Sequence, residues 1–344
     1  MNPLRREDVI TIPVPTPLPF GPVNAYLIKR DPLILVDAGV KTDDAHAALV
    51  SWLDAHGVAP ADLEVILITH GHLDHMGLLE RLLEESDATA YAHPYVVERS
   101  RDPRTSEEET LRFARDVMRE LGVPQDRIDA CMVERESYRS YGELTFVGHN
   151  IEDGEVVEGL TAHHVPGHSA SDTLFVCAAS RLAFTGDHIL KSIHPNPLLR
   201  RPRPGGSRPR SLLEYRQSLQ RTRSLGLECC FPGHGPIITD PTAVIDGLLR
   251  RQDDRAERVV AILGRDTLTP FDVTRAMFPK LGSGHLYLGL SAATGLLELL
   301  EERRLATQER RDGILYYRAA RTEGRDGRVE STPRQEGGAD DTSP

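Results

Sequence analysis

Three histidines and an aspartate fall within six positions of the segment Thr69-His70-Gly71-His72-Leu73-Asp74-His75-Met76-Gly77. Imidazole nitrogens and carboxylate oxygens are donors that suit divalent ions such as Zn2+, and a catalytic site leaves one coordination position open for water. On an extended backbone His70 and His72, two residues apart, project to the same side, and Asp74 and His75 in the following turn can face a second centre. Three further segments each place one ligand-type residue beside glycine at the end of a β-like run: His168 in Val165-Pro166-Gly167-His168, Asp187 in Thr185-Gly186-Asp187, and His234 in Pro232-Gly233-His234. Loops at such positions carry function. Five histidines and two aspartates are too many for one tetrahedral ion, and they suit two ions that share a bridging carboxylate. A surface cluster in a chain with 14 histidines would account for the hexapeptide but not for the other three segments.

The elements that must position these residues can be read in outline. Short β-type runs at 24–28 and 33–39 lead to Thr42, a helix cap followed by Asp43 and Asp44 in the first turn, with Gly57 as a stop. The β-rich run 64–70 delivers the histidine block at its C-terminal end; a helix is expected after Gly77 and a strand over 88–93. Residues 94–150 change character, with apolar residues at 111, 113/114, 117/118 and 121 in helical period and a second helical stretch at 123–136. They read as a helical insertion between β elements. The β pattern resumes near 156, with a hairpin over 172–187, a helix over 211–226 and a strand in 227–236 that runs into a Gly-rich loop. Beyond 243 the histidine-bearing loops stop. Helices near 243–264, 270–278 and 289–305 precede two β runs around Asp312-Gly313, a good hairpin turn. Three helices and a hairpin point to a winged-helix-like module. The chain thus divides into a domain bearing the histidine loops at 1–242, a winged-helix-like C-terminal domain at 243–320, and a polar tail at 321–344 expected to be disordered.

Bulk composition bounds the function. The 344 residues, 39% hydrophobic and 27% charged, suit a globular protein, and the formal net charge of −11 argues against charge-driven nucleic-acid binding. The N-terminal apolar run is broken by prolines and lacks a basic start, so no signal peptide is expected, and no run reaches transmembrane length. The cysteines, 131, 177, 229 and 230, form no CxxC and read as reduced thiols of a cytoplasmic protein.

Asp37 in Val36-Asp37-Ala38-Gly39, the His70–His75 block, His168, Asp187 and His234 occur in an order that resembles the metallo-β-lactamase superfamily over roughly residues 8–240. That resemblance implies an αββα sandwich with the metals at one edge of the two sheets. It assigns His70, His72 and His168 to a first metal and Asp74, His75 and His234 to a second, with Asp187 bridging and Asp37 orienting a ligand histidine from behind. True β-lactamases of the superfamily have Cys or Ser near the bridging position, so Asp187 makes antibiotic hydrolysis an unexpected activity. Flavodiiron-type members carry Glu where His72 stands, whereas persulfide dioxygenases keep the same residues around a single iron. The hydrolytic members (glyoxalase II, lactonases, thioesterases and ribonuclease Z-like nucleases) fit all seven positions. The C-terminal segment resembles the small domain of β-lactamase-like 2 type proteins.

Two divalent ions, zinc first with iron or manganese as alternatives, would lower the pKa of a shared water towards neutrality. Asp74 either relays its proton or serves only as a ligand, and His188 beside Asp187 either donates to an oxyanion or lines the pocket. Three features bear on the substrate. The 94–150 insertion forms a lid or adds packing; a lid over an apolar pocket favours an organic ester or thioester, possibly of acyl-CoA or acyl-carrier type. The stretch 191–210 holds Arg200, Arg201, Arg203, Arg208 and Arg210 without an acid, together with His194 and Asn196, and would clamp phosphates or form a solvated loop. The would-be recognition helix is poorly charged for DNA, and residues 286–297 are either a core helix or a homodimer face. A small-molecule ester or thioester hydrolase fits best. A metal-dependent ribonuclease or phosphodiesterase is the alternative, followed by a non-catalytic or single-iron member.

Overall fold

The computed structural model describes residues 3–18, 21–137, 141, 148–203 and 205–320. Aliphatic and aromatic runs form two sheets that face each other. The first has the order β1 (Val9–Val14), β2 (Val23–Ile28), β3 (Ile34–Val36), β4 (Val65–Leu67), β5 (Thr89–Ala92), β6 (His149–Asn150). Its first three strands pair antiparallel and the remainder parallel. The second runs β11 (Cys229–Pro232), β10 (Leu182–Gly186), β9 (Thr173–Cys177), β8 (Leu160–His164), β7 (Val156–Val157), antiparallel except for β10 against β11.

Side-chain alternation explains why the central strands are buried along their whole length. In β2, Ala25 and Leu27 join a core against the helices α1 (Asp43–Ala55), α3 (Leu79–Glu85) and α4 (Pro94–Arg101). Tyr26 and Ile28, with the opposite orientation, meet Phe184 and Phe231 between the sheets, where the Tyr26 ring lies 5.5 and 5.4 Å from theirs. The outer face of the second sheet is covered by α5 (Pro103–Glu120), α6 (Gln125–Ser137), α7 (Ser211–Ser224), α8 (Pro241–Leu263) and α10 (Leu286–Glu302). The layers are therefore helix, sheet, sheet, helix, the αββα arrangement anticipated from the sequence.

Local rules hold at several ends. The Thr42 hydroxyl accepts from Ala45 N–H at the start of α1, and Asp312 and Gly313 both take positive φ between β12 (Ala306–Arg311) and β13 (Ile314–Ala319). One boundary shifts: the helix expected after Gly77 is preceded by α2 (Leu73–Met76), inside the histidine block itself. Three helices and a hairpin follow residue 240 in the expected order, with α9 (Pro270–Met277) between α8 and α10. Their apolar residues share one core with β9 and α7: Leu290, Leu297 and Val273 cluster with Leu174, Val176 and Tyr215. Residues 286–297 belong to this core and not to a surface, because Leu286, Tyr287, Leu290, Ala293, Leu296 and Leu297 are buried within the chain. This removes the sequence basis for a homodimer face there, and it leaves α10 unable to enter a DNA groove. The tail at 321–344 lies outside the described residues. No described helix is long and apolar enough to cross a membrane.

Candidate metal centre

The seven ligand-type residues converge from the C-terminal ends of strands of both sheets. His70 and His72 follow β4, Asp74 and His75 sit on α2, His168 follows β8, Asp187 follows β10 and His234 follows β11. Three overlapping groups place their donor atoms within 4.8 Å of one another: His70, His72 and His168; His70, His75 and Asp187; Asp74, His75 and His234. In the first, His70 Nε2 and His168 Nε2 each lie 3.0 Å from His72 Nδ1. In the third, Asp74 Oδ2 is 3.4 Å from His234 Nε2 and 4.0 Å from His75 Nε2. Asp187 touches every part of the cluster, with Oδ1 3.5 Å from His75 Nε2 and Oδ2 3.6 Å from His168 Nε2 and 3.7 Å from His234 Nε2.

The outward-turned nitrogens of His75, His70 and His234 are held by other groups. Asp37 Oδ2 accepts from His75 Nδ1 at 2.8 Å, while its Oδ1 accepts from Thr69 N–H at 2.8 Å and the Thr69 hydroxyl also donates to it. His70 Nδ1 lies 3.2 Å from that hydroxyl, and His234 Nδ1 donates to Pro22 O at 3.0 Å. His75 Nε2 and Asp187 Oδ1, by contrast, are buried without any hydrogen-bond partner. Such orphaned donors and acceptors are costly unless something binds them, and a divalent cation fits both atoms.

Electrostatics agree. Burial lowers the His70 pKa well below its ordinary value, with His75 and His72 adding to the effect, and burial followed by His168 brings His72 to about 3. Both imidazoles are therefore neutral, the form that ligates. Burial opposes charge on His75 and on Asp187. Asp37, Asp187 and Asp74 nonetheless hold His75 well above its usual range, and His75, His234 and His168 hold Asp187 well below the carboxylate range. Three buried carboxylates around one imidazole make a negative field that cations neutralise.

Glycine makes the approach possible. A Cβ at Gly233 would stand 2.5 Å from both Asp187 Oδ1 and His75 Cε1, and one at Gly186, where φ is +46°, 2.5 Å from Thr69 Oγ1.

The cluster opens into a cavity of about 1310 Å³, lined at its base by His72, Asp74, His168, Asp187 and His234. Residues of the 94–150 insertion, among them Tyr95, Arg99, Leu111 and Phe113, form one wall, and Leu190, His194 and Leu199 contribute to another. Tyr287 and Leu288 of α10 also reach it.

Several expectations need correction. His188 is fully buried away from the cavity; its Nε2 lies 2.8 Å from Thr222 Oγ1 and its carbonyl accepts from Tyr215 OH at 2.6 Å. Burial, with His168 nearby, lowers its pKa to about 3, so it is neither placed nor charged to donate to a leaving group. His194 does line the cavity, and burial, followed by Arg255 and Arg251, lowers its pKa to about 4. Asn196 also lines it but spends its amide on Leu288 O at 2.8 Å. The arginine loop does not present five unneutralised cations. Arg200 pairs with Glu214 and Arg201 with Glu109, while Arg208 pairs with Glu298 at 2.6 Å and Arg210 with Glu302 at 2.8 Å. Arg203 is exposed and outside the cavity lining. The loop thus ties α10 and the insertion to the sandwich. Sequence reading passed over Thr69, Ser171 and Asp172. Ser171 Oγ accepts from Gly71 N–H at 3.1 Å, and Asp172 Oδ2 accepts from Ser169 N–H at 2.8 Å, fixing the loop that carries His168. The Ser169-Ala170-Ser171-Asp172 run was the available signal.

A two-sheet sandwich with paired histidine–aspartate groups at the strand ends, opening to a deep cavity, defines a metallo-hydrolase type of protein. A sequence profile of the metallo-beta-lactamase superfamily matches residues 18–234, and the chain belongs to that superfamily. It is 33% identical over 317 residues to the probable metallo-hydrolase YqjP of Bacillus subtilis (strain 168), covering 91% of this chain and 98% of that one. The atrochrysone carboxyl ACP thioesterase of Aspergillus fumigatus is 32% identical over 117 residues, a match covering 33% of this chain and 33% of that protein. In fold, the chain is similar to the metallo-beta-lactamase family protein TTHA1429 of Thermus thermophilus. The TM-score is 0.76 at 24% identity, and the match covers 91% of this chain and 99% of that one.

Proposed function

We propose that this chain is a dinuclear metal-dependent hydrolase of carboxylic esters or thioesters. Asp187 carries the reading: one carboxylate stands 3.5 to 3.7 Å from ring nitrogens of His75, His168 and His234, and so reaches both donor groups. His70, His72 and His168 would hold one ion and Asp74, His75 and His234 the other, with Asp187 between them. Two divalent ions there, zinc by donor type with iron or manganese as alternatives, supply Lewis acidity and a nucleophilic water at neutral pH.

The chain's own residues do the rest. Asp37 fixes the ring of His75 and, through Thr69, that of His70. Asp74 lies at the cavity base, and although burial opposes it, His75 and His234 keep its carboxylate ionised. It is placed to accept a proton from the attacking water. Leu111, Phe113, Leu190, Leu199 and Leu288 exclude water and provide a surface for an acyl or aryl group. The neutral His194 offers a polar contact on that surface. A thioester substrate gains support from the relative named as an acyl carrier protein thioesterase. The neutralised arginine loop and the buried α10 weigh against a nuclease. The four buried, free cysteines suit a reducing compartment, and we place the protein in the cytoplasm.

The test is turnover of a p-nitrophenyl ester, an acyl-CoA, bis-p-nitrophenyl phosphate and a labelled RNA by the purified chain. Ester or thioester hydrolysis that chelation abolishes and added metal restores is expected. Phosphodiester cleavage without ester cleavage would overturn the assignment.

A further inference from the structure

Arg99 on α4 faces the same cavity as His72 and Asp187. Its Nε donates to Ser106 Oγ at 2.8 Å, one terminal nitrogen reaches Thr110 Oγ1 at 3.5 Å, and the guanidinium lies 5.5 Å from the centre of the Tyr95 ring. Among the described residues its partners are thus two hydroxyls and an aromatic face, and no carboxylate forms an ion pair with it. The neighbouring Arg200 and Arg201, also in the cavity lining, are each paired with a glutamate. A guanidinium has five N–H donors, and here two are engaged. Burial lowers the Arg99 pKa and Arg201 adds to that effect, while Tyr95 and Glu107 oppose it without reversing it. A desolvated cation with spare donors and no ion-paired acid is built to receive an anion.

Its position sets the geometry of that anion. Val96, one turn earlier on α4, has its Cγ2 within 3.1 Å of where a Gly71 Cβ would stand, beside His72. Arg99 therefore lies roughly one helical pitch, about 5 Å, further along the cavity wall. An anion bound there is a handle remote from the scissile bond, and Leu111, Phe113 and Leu199 line the same cavity.

We propose that Arg99 determines specificity by binding an anionic group of the substrate, set apart from the scissile carbonyl by an apolar stretch. This rests on the ester or thioester hydrolase reading. The anion is a carboxylate on the acyl portion or a phosphate on the leaving group. Two substrate pairs separate these sources in the metal-loaded full chain: p-nitrophenyl hexanoate against p-nitrophenyl hydrogen adipate, and hexanoyl-N-acetylcysteamine against hexanoyl-coenzyme A.

In one pair the wild type should favour the anionic member, mainly through KM, and Arg99→Gln should reduce that preference about 10- to 100-fold. Arg99→Lys, which keeps the charge but not the fork, should retain part of it. Calorimetric binding of adipate against hexanoate, and of coenzyme A against N-acetylcysteamine, gives a readout independent of turnover. A binding preference that Arg99→Gln removes, in a chain that hydrolyses none of the four substrates, would leave the anion site standing and sink the hydrolase reading. Equal preferences in wild type and Arg99→Gln, in both kinetics and binding, would overturn the proposal.

Discussion

Replacing Asp37 by asparagine isolates the orientation of His75 from the stability of the fold. The Asp37 carboxylate accepts from Thr69 N–H and from His75 Nδ1, both at 2.8 Å. Asparagine can keep its oxygen towards Thr69 N–H, and like aspartate it tolerates the left-handed backbone seen here, φ 60°. Its amide then points N–H groups at His75 Nδ1, which must become the acceptor. The ring proton moves to Nε2, the nitrogen 3.5 Å from Asp187 Oδ1, and a protonated nitrogen cannot ligate. Loss of such an orienting partner lowers metal affinity about 10- to 100-fold, roughly 1.4 to 2.7 kcal/mol. Thermal stability of the metal-free chain should fall by only about 1 kcal/mol, because the backbone bond survives. Asp37→Ala should cost more, about 2 to 3 kcal/mol, since it leaves the buried Thr69 N–H unpaired and puts alanine in the left-handed backbone at position 37. A competition titration with a chromophoric chelator measures the affinity. If Asp37→Asn binds metal as tightly as wild type, Asp37 does not act through the His75 tautomer.

Three further outcomes are expected. Gly233→Ala inserts a methyl 2.5 Å from Asp187 Oδ1 and His75 Cε1, so metal content and kcat/KM should both drop at least about tenfold while the circular dichroism spectrum is kept; full activity would mean the loop yields freely. His93 accepts from Tyr95 N–H at 2.9 Å, and burial, then His164 and Arg203, lowers its pKa to about 3. With the folded pKa depressed, its stabilising contribution is complete above the unfolded value near 6.5 and is lost as pH falls towards 3. Between pH 7.5 and 5.5 this amounts to about 1.4 kcal/mol in urea unfolding, a component that should be missing in His93→Asn. Leu290→Ala, in the core shared by α10 and the second sheet, should destabilise the whole chain by about 2 to 5 kcal/mol in a single melting transition; a separate low-temperature transition would show that the C-terminal helices unfold alone.

What was legible in the sequence was local or periodic. The histidine block, the glycine-flanked His168, Asp187 and His234, the Thr42 cap and the Asp312-Gly313 turn each announce themselves within a few residues. What was not legible depends on contacts across long sequence separations. Nothing near Arg201 or Arg210 reveals that Glu109 and Glu302 neutralise them. Nothing beside His188 reveals that Thr222 and Tyr215 enclose it. The apolar run of α10 reads equally as a core or as an interface until the second sheet is seen to cover it. Arg99 lies in an ordinary charged helix, and its meaning comes from the cavity it faces and from the lack, among the described residues, of a carboxylate ion-paired with it.

The most direct measurement is the metal content of the purified full chain by mass spectrometry, taken together with turnover and compared with Asp187→Ala. Two equivalents per active chain are expected, with loss of metal and of most hydrolysis when the Asp187 carboxylate is removed. A fully active chain holding a single iron, or an Asp187→Ala variant with unchanged turnover, would contradict the dinuclear site.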